Sequence, residues 1–367
     1  MAHRRGLLAL PAELQVHIAT YLSSGVKHAG SSKDLLNLAL TCRQLAPIVR
    51  EVLCTAPVLQ SSKVHLLLDF LCMYPHLAKT IKTLTVETKE TRKDGTYPVP
   101  IPLLQSDVLD HCRQHVRTLP VRKWTQDTMI ASLKATRFAD HGLLLSLLLT
   151  TLPRLEQLYL GGSILLNFPI LRDLIPNEPE APAGPTWAEG PDMSWVVAVI
   201  GHQLTALELP IDFRRTLEDN IWRPLSISRI PDFFPNLRWL SIPHTAATET
   251  SSSEVVPRSL ETLILTDARG NCFEQFASEL IEDGKALFPR LSKIALYHRY
   301  LGAPTDDAVI KALADIDIGV FEYIPDCCLR SGDEFYHPWK YTPAEIDALS
   351  EVRHAGYATE WDRRIAM

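Results

Sequence analysis

The sequence predicts an α/β protein in which a group of short helices precedes a long series of strands that alternate with helices. Two observations support this prediction. Leucine supplies 55 of the 367 residues, and these leucines recur at two spacings, one helical and one of the form L-x-x-L-x-L. Hydrophobic residues at 46% and charged residues at 22% are typical of a globular chain that buries a core.

The composition excludes several classes of function. No two of the 16 glycines have the G-x-G spacing of a dinucleotide-binding turn, and G-x-S-x-G and H-E-x-x-H motifs are absent. The seven cysteines are scattered without a C-x-x-C pair, which fits a reducing compartment, so we expect a cytoplasmic and/or nuclear protein. A net charge of −6 argues against nucleic acid as a partner, and no apolar run is long enough to predict a membrane span.

The spacing of apolar residues over 10–53 predicts three short helices. Leu10-Pro11 opens the first, because proline is pre-shaped for a first helical turn, and its apolar stripe continues through Leu14 and Ile18. The second helix carries two apolar rows. Three short helices expose more apolar rows than they can bury among themselves, so the surplus needs either the rest of the chain or another protein as its partner.

The ordered combination Leu10-Pro-x-Glu-Leu, then Asp34-Leu-Leu-x-Leu-Ala-Leu-Thr-Cys-Arg, resembles an F-box. The resemblance implies a helical module that docks onto a Skp-type adaptor, which bridges it to a cullin–RING ubiquitin ligase. It assigns the adaptor-facing apolar set to Leu10, Pro11, Leu14, Ile18, Leu22, Leu35, Leu36 and Leu40. The Ser23–Lys33 loop is longer than is usual in the family; it is either harmless, because loop lengthening costs little entropy, or it crowds the adaptor. The alternative interpretation is an ordinary helical cap on the downstream core.

The template L-x-x-L-x-L occurs six times in the remaining chain, and each occurrence predicts one strand. The occurrences begin at Ile81, Leu155, Leu204, Leu237, Leu260 and Leu291, and weaker members begin at Val116 and Ile318. Proline often precedes the template, as in Phe288-Pro-Arg-Leu, and marks a turn from helix into extended chain. Helical stretches lie between the templates, among them the leucine-rich Gly142–Thr151.

This pattern resembles the F-box proteins that carry degenerate leucine-rich repeats, particularly fungal-type members with long, uneven repeats. The resemblance implies an irregular solenoid with parallel strands on its concave face and helices on its convex face. The competing interpretation is a set of unrelated buried strands in an α/β domain. The predicted boundaries are 7–55 for the F-box-like module, 56–332 for the repeat domain with loop insertions at 176–192 and 244–253, and 333–367 for a capping tail.

In such a solenoid the template leucines point inward, and the residues between and just after them alternate outward onto the concave sheet. The candidate substrate-binding residues on that face are Gln157, Tyr159, Glu208, Trp239, Ser241, Thr262, Lys293 and Tyr297. Tyrosine and tryptophan are the residues that dominate binding hot spots. For Trp239 the alternative is packing under a neighbouring loop.

The residues give little support for catalysis. His111-Cys112-x-x-His115 has a metal-like spacing, but a polar helix face also explains it. We therefore predict no catalytic, cofactor or metal residues, and a substrate-recognition subunit of an SCF-type ubiquitin ligase with an unknown protein substrate. The alternatives are a non-ligase interaction scaffold that uses the same two surfaces, and an enzyme whose dispersed active site gathers around His111 and His115.

Overall fold

The computed structural model describes residues 7–24, 31–87, 106–135, 141–160, 194–209, 214–216, 222–224, 229–247, 251–268, 270–298 and 305–323. The insertion predicted at 176–192 and the tail predicted at 333–367 lie outside the described residues.

The three predicted N-terminal helices pack on one another around a small core. They are α1 (Ala12–Ser24), α2 (Ser31–Thr41) and α3 (Ala46–Thr55). Proline lies in the first turn of α3, where its missing N–H has no helical partner to lose. The centre of the core is formed by Ala19, Leu35, Val49 and Val52, with Val16, Leu38, Ala39, Ile48 and Leu53 packed partly buried against it.

Eight strands form one parallel sheet, and each lies beside the next sheet strand in the sequence. The strands of the chain are β1 (Val58–Gln60), β2 (Thr83–Glu87), β3 (Gln157–Leu160), β4 (Ala206–Glu208), β5 (Arg214–Thr216), β6 (Trp222–Pro224), β7 (Trp239–Pro243), β8 (Thr262–Ala268), β9 (Lys293–His298) and β10 (Gly319–Tyr323). β5 and β6 form a separate antiparallel pair. The predicted mixed α/β class is confirmed, with the strands in simple sequential order.

All six strong occurrences of the template supply a strand of this sheet, and their leucine positions are in register. Leu240, Leu263 and Ile294 are direct neighbours across β7, β8 and β9. The turn that precedes the strand is also repeated. In this turn the first leucine of the template donates its N–H to the carbonyl three residues earlier. This bond occurs from Leu155 to Leu152, from Leu237 to Phe234, from Leu260 to Pro257 and from Leu291 to Phe288, at 3.0–3.3 Å.

Helices connect the strands and cover the leucine positions. Beyond α3 they are α4 (Val64–Met73), α5 (Ser106–Thr118), α6 (Lys123–Ala135), α7 (His141–Thr150), α8 (Ser194–Ile200), α9 (Ile230–Phe233), α10 (His244–Ala247), α11 (Ser252–Val255), α12 (Gly270–Leu287) and α13 (Asp307–Asp315). The prediction that the leucine-rich stretch is buried is confirmed, since every residue from 142 to 149 is buried. Ser146, in its middle, donates its hydroxyl hydrogen to the Gly142 carbonyl at 2.7 Å and is thereby satisfied.

The chain divides into two compact units, with the boundary at Ala206 and Leu207. The first unit contains α1 to α8 and strands β1 to β3, and the second contains β5 to β10 and the later helices. No helix in the described part of the chain is both long enough and apolar enough to cross a membrane.

The two weaker template members do not fit the structure. Val116-x-x-Leu119-x-Val121 is not a strand, because Val116 lies in α5 and is buried by helix packing. In the last strand, Val320 rather than Phe321 pairs with Ile294, and Phe321 pairs with Ala295. A one-residue offset moves a side chain to the opposite face of a strand, so Phe321 lies on the face away from the leucines.

The segment 244–253, expected to be a loop insertion, is partly helical. α10 and α11 lie within or overlap it, and His244, Ala247 and Ser252 are fully buried or nearly so. Serine and threonine are abundant in this segment and are typical of loops, so the sequence did not predict its buried helices. Ser252 also donates its backbone N–H to Glu279 Oε2 at 2.8 Å, which ties the segment to α12.

Candidate functional site

The apolar stripe of α1 faces away from the helical core. Leu14 is 49% exposed and Tyr21 is 72% exposed, while Ala19 on the other side of the helix is fully buried. Leu10 is also exposed, and Ile18, between Leu14 and Tyr21, is half-buried. Positions 14, 18 and 21 follow the i, i+4, i+7 spacing of one face of α1, and Leu10 lies just before the helix begins.

Helix α2 carries two leucines that the F-box resemblance assigned to the same docking surface, and the structure places them on different faces of the helix. Leu40 is 76% exposed, whereas Leu35 is only 1% exposed and belongs to the core of the module. The expectation that Leu35 faces an adaptor therefore needs correction, because its side chain is already enclosed by α1 and α3. Pro11 is exposed. The side chains of Leu22 and Leu36 lie outside the described residues.

We name the exposed large hydrophobic residues of this region the outward set. Its members are Leu8, Leu10, Leu14, Tyr21 and Leu40. Exposed apolar side chains are normal singly, and five of the ten exposed large hydrophobic residues among those described lie in the first forty residues. Glu13, His17 and Arg43 are exposed polar neighbours in sequence.

The first unit holds two of the candidate substrate-binding residues in a hydrogen-bonded group. Gln157 Oε1 accepts from the Thr83 hydroxyl at 3.0 Å and from the Tyr159 hydroxyl at 3.3 Å. Tyr159 is buried, contrary to the exposed position expected from the alternation. Gln157 is half-buried and Thr83 lies beside it on the neighbouring strand.

In the second unit the corresponding sheet face is also largely covered. Trp239 is 8% exposed, Tyr297 is 5% exposed, and Glu208 and Ser241 are buried. All five residues of β7 are buried, which is the pattern of a strand covered on both faces. The expectation of an open concave surface is therefore wrong at these four positions. Thr262 and Lys293 alone among the predicted residues of this unit are half-buried, and the Lys293 ammonium lies 4.9 Å from the Phe321 ring centroid.

Glu208 is a core residue and not a surface carboxylate. Burial raises its pKa to about 8. Leu209 donates its N–H to the Ser241 carbonyl at 2.8 Å, and in a parallel pair this bond sets Glu208 directly beside Ser241. The Ser241 hydroxyl is buried with no hydrogen-bond partner among the described residues.

The two histidines of the metal-like spacing on α5 lie in different surroundings. His111 is exposed, whereas Cys112 points into the core and burial raises its pKa to about 12. His115 Nε2 lies 3.0 Å from the Thr150 hydroxyl, and burial lowers its pKa. The described residues contain no group of three potential metal ligands. The enzyme alternative centred on His111 and His115 thus has no supporting cluster in this part of the structure.

A feature that the sequence pattern did not single out is a cleft between α5 and α6. It is lined by Asp110, Arg113, Gln114, Arg117 and Ile130. The sequence contained one signal for this cleft: Arg113 and Arg117 are four residues apart, a spacing that places both side chains on one face of a helix.

Comparisons with protein-family models, with curated proteins and with solved structures give no significant match to this chain. The assignment of function therefore depends on the residues and their geometry.

Proposed function

We propose that this protein is the substrate-recognition subunit of an SCF-type cullin–RING ubiquitin ligase. In this proposal the N-terminal helices dock on a Skp-type adaptor, and the repeat region binds a protein substrate. The chain itself carries out no chemistry and needs no cofactor. The observation that supports the proposal most strongly is the outward set, which leaves the apolar stripe of α1 uncovered although α1, α2 and α3 enclose a core of their own.

The outward set has the chemistry of a protein-binding surface. Burying a leucine or tyrosine side chain contributes about 1.5–3 kcal/mol, so an adaptor that covers several of these residues gains enough to offset the entropy lost on association. Leu10, Leu14 and Leu40 are shared between this set and the residues that the F-box resemblance assigns to the adaptor. Leu35 contributes indirectly, because it fixes α2 against α1 and α3.

Fewer residues are available for the proposed substrate contact than the sequence predicted. Gln157 in the first unit, and Thr262 and Lys293 in the second, remain the candidate contacts because they are the predicted residues with accessible side-chain surface. Tyr159, Trp239 and Tyr297 support the sheet from buried positions. Residues outside the described part of the chain are further candidates.

Reconstitution tests the ligase role directly. The full chain is mixed with a Skp-type adaptor, a cullin and a RING subunit, and the mass of the complex is measured by size-exclusion chromatography with light scattering. We expect one complex that contains all four proteins. A complex that holds the adaptor but excludes the cullin would favour the scaffold alternative, and a chain that elutes alone would overturn both.

A further inference from the structure

The cleft between α5 and α6 has a volume of about 410 Å³ and opens to solvent. Four of its lining residues come from α5 at positions i, i+3, i+4 and i+7, and so they share one helical face. The opposite face of α5 is buried through Val108, Cys112 and Val116. Helix α5 is therefore amphipathic: its apolar face packs into the core, and its polar face lines the cleft.

The two walls of the cleft are fixed to each other. Gln126 of α6 donates its side-chain amide to the Leu119 carbonyl at 3.0 Å and to the Arg117 carbonyl at 3.5 Å. On its other side α5 is tied to α7 through His115 and Thr150, which lie 3.0 Å apart. These bonds link α5 to α6 and to α7, and a site on helices that are already linked loses less freedom on binding than a site on a mobile segment.

Arg113 lines the cleft, and its guanidinium is only partly paired. Its Nη1 pairs with Asp110 Oδ1 at 2.8 Å. Its Nε is buried and has no hydrogen-bond partner among the described residues. Because this Nε is enclosed, an anion in the cleft would meet the terminal N–H groups of the guanidinium, which match the oxygens of a phosphate or carboxylate.

Arg117 adds a second positive charge one helical turn further on. Among the described residues, no carboxylate forms an ion pair with it. The five lining residues thus include two guanidinium groups and a single carboxylate, that of Asp110. Gln114 adds a neutral amide, and Ile130 supplies an apolar wall from α6.

We propose that this cleft binds an anionic group, a phosphate or a carboxylate, whose oxygens pair with Arg113 and Arg117. The methylene groups of a side chain that carries such an anion would pack on Ile130. The proposal is independent of the adaptor surface, because it uses none of the outward set.

Calorimetric titration of the full chain with three probes tests the site: inorganic phosphate, a peptide containing phosphoserine, and the same peptide with glutamate at that position. Arg113→Gln and Arg117→Gln should each weaken binding by about ten- to hundredfold, since each removes charged hydrogen bonds. Arg258→Gln, an exposed arginine of the second unit, is the matched control and should leave the affinity unchanged. The probe that binds most tightly identifies the source of the anion.

Asp110→Asn should change the affinity for the anion in the opposite direction. Removing the competing carboxylate frees Arg113 and should tighten anion binding by about two- to fivefold. If Asp110→Asn weakens binding as the arginine variants do, the effect is a loss of helix structure and the proposal fails. It also fails if none of the three probes binds at millimolar concentration, or if Arg258→Gln loses as much affinity as Arg113→Gln.

Discussion

Leu35 and Leu40 lie on the same short helix and have opposite surroundings. Leu35 is enclosed by α1 and α3, and Leu40 is among the most exposed leucines of the described residues. Both belong to apolar rows at helical spacing, and spacing alone does not say which row faces the core. At the scale of single residues, the structure thus divides one predicted docking set into a buried part and an exposed part.

Glu208 makes the unfolding free energy depend on pH. Burial raises its pKa from 4.5 to about 8, so between these values the folded chain holds a proton that the unfolded chain has released. The unfolding free energy consequently falls as the pH rises through this window, by at most about 1.4 kcal/mol per pH unit. We expect Glu208→Gln to be more stable than the wild type at about pH 8 and to show a flatter pH dependence.

Urea unfolding midpoints at about pH 5 and about pH 8 measure this effect. Glu254→Gln, at an exposed position, is the control and should follow the wild type. Parallel pH profiles for the wild type and Glu208→Gln would show that Glu208 is ionised in the folded chain.

At the scale of elements, α7 is a helix enclosed on all sides. Leu148 in its centre is fully buried. We expect Leu148→Ala to lower the unfolding free energy by about 2–5 kcal/mol, because it removes a methylene-rich side chain and leaves a cavity. Leu66→Ala, at a 53% exposed position on α4, should cost less than about 0.5 kcal/mol in the same urea titration. Equal losses in the two variants would contradict the packing of α7.

Helix α12 is kinked at Gly284, whose backbone angles are not helical. Gly284 has φ of +55°, a conformation that other residues adopt at a cost, and no atom lies within 4 Å of the position a Cβ would take. We therefore expect Gly284→Ala to lower the unfolding free energy by about 1–3 kcal/mol through backbone strain alone, because φ of +55° with ψ of −155° is a combination that residues other than glycine rarely adopt. Ser278→Ala, at an exposed position in the same helix, is the control. An unchanged thermal midpoint for Gly284→Ala would indicate that the helix end readily changes its conformation.

At the scale of the whole molecule, the sequence predicts the order of the strands better than the surfaces that they form. The template leucines alternate with other residues and therefore mark one face of every central strand, as Leu240, Leu263 and Ile294 show. The same alternation fails at β10, because Val320 and Phe321 are both apolar and local spacing does not distinguish their faces.

The accessibility of the second sheet face could not be predicted for a different reason. Alternation assigns Trp239 and Tyr297 to the face opposite the leucines, but it carries no information about whether that face is covered. Both are buried. The cleft beside Arg113 was missed because its walls come from two helices, and the pairing of helices is a tertiary property that no single spacing encodes.

The outward set is the most direct point at which to test the proposed function. Calorimetry with the full chain and a Skp-type adaptor compares the wild type, the double variant Leu14→Ala with Leu40→Ala, and the control Leu66→Ala. If the adaptor covers the outward set, the double variant loses at least about tenfold in affinity, because two buried leucine side chains are removed, and the control binds as the wild type does. Absence of adaptor binding at about micromolar concentration, or an equal loss in the control, would contradict the proposed docking surface.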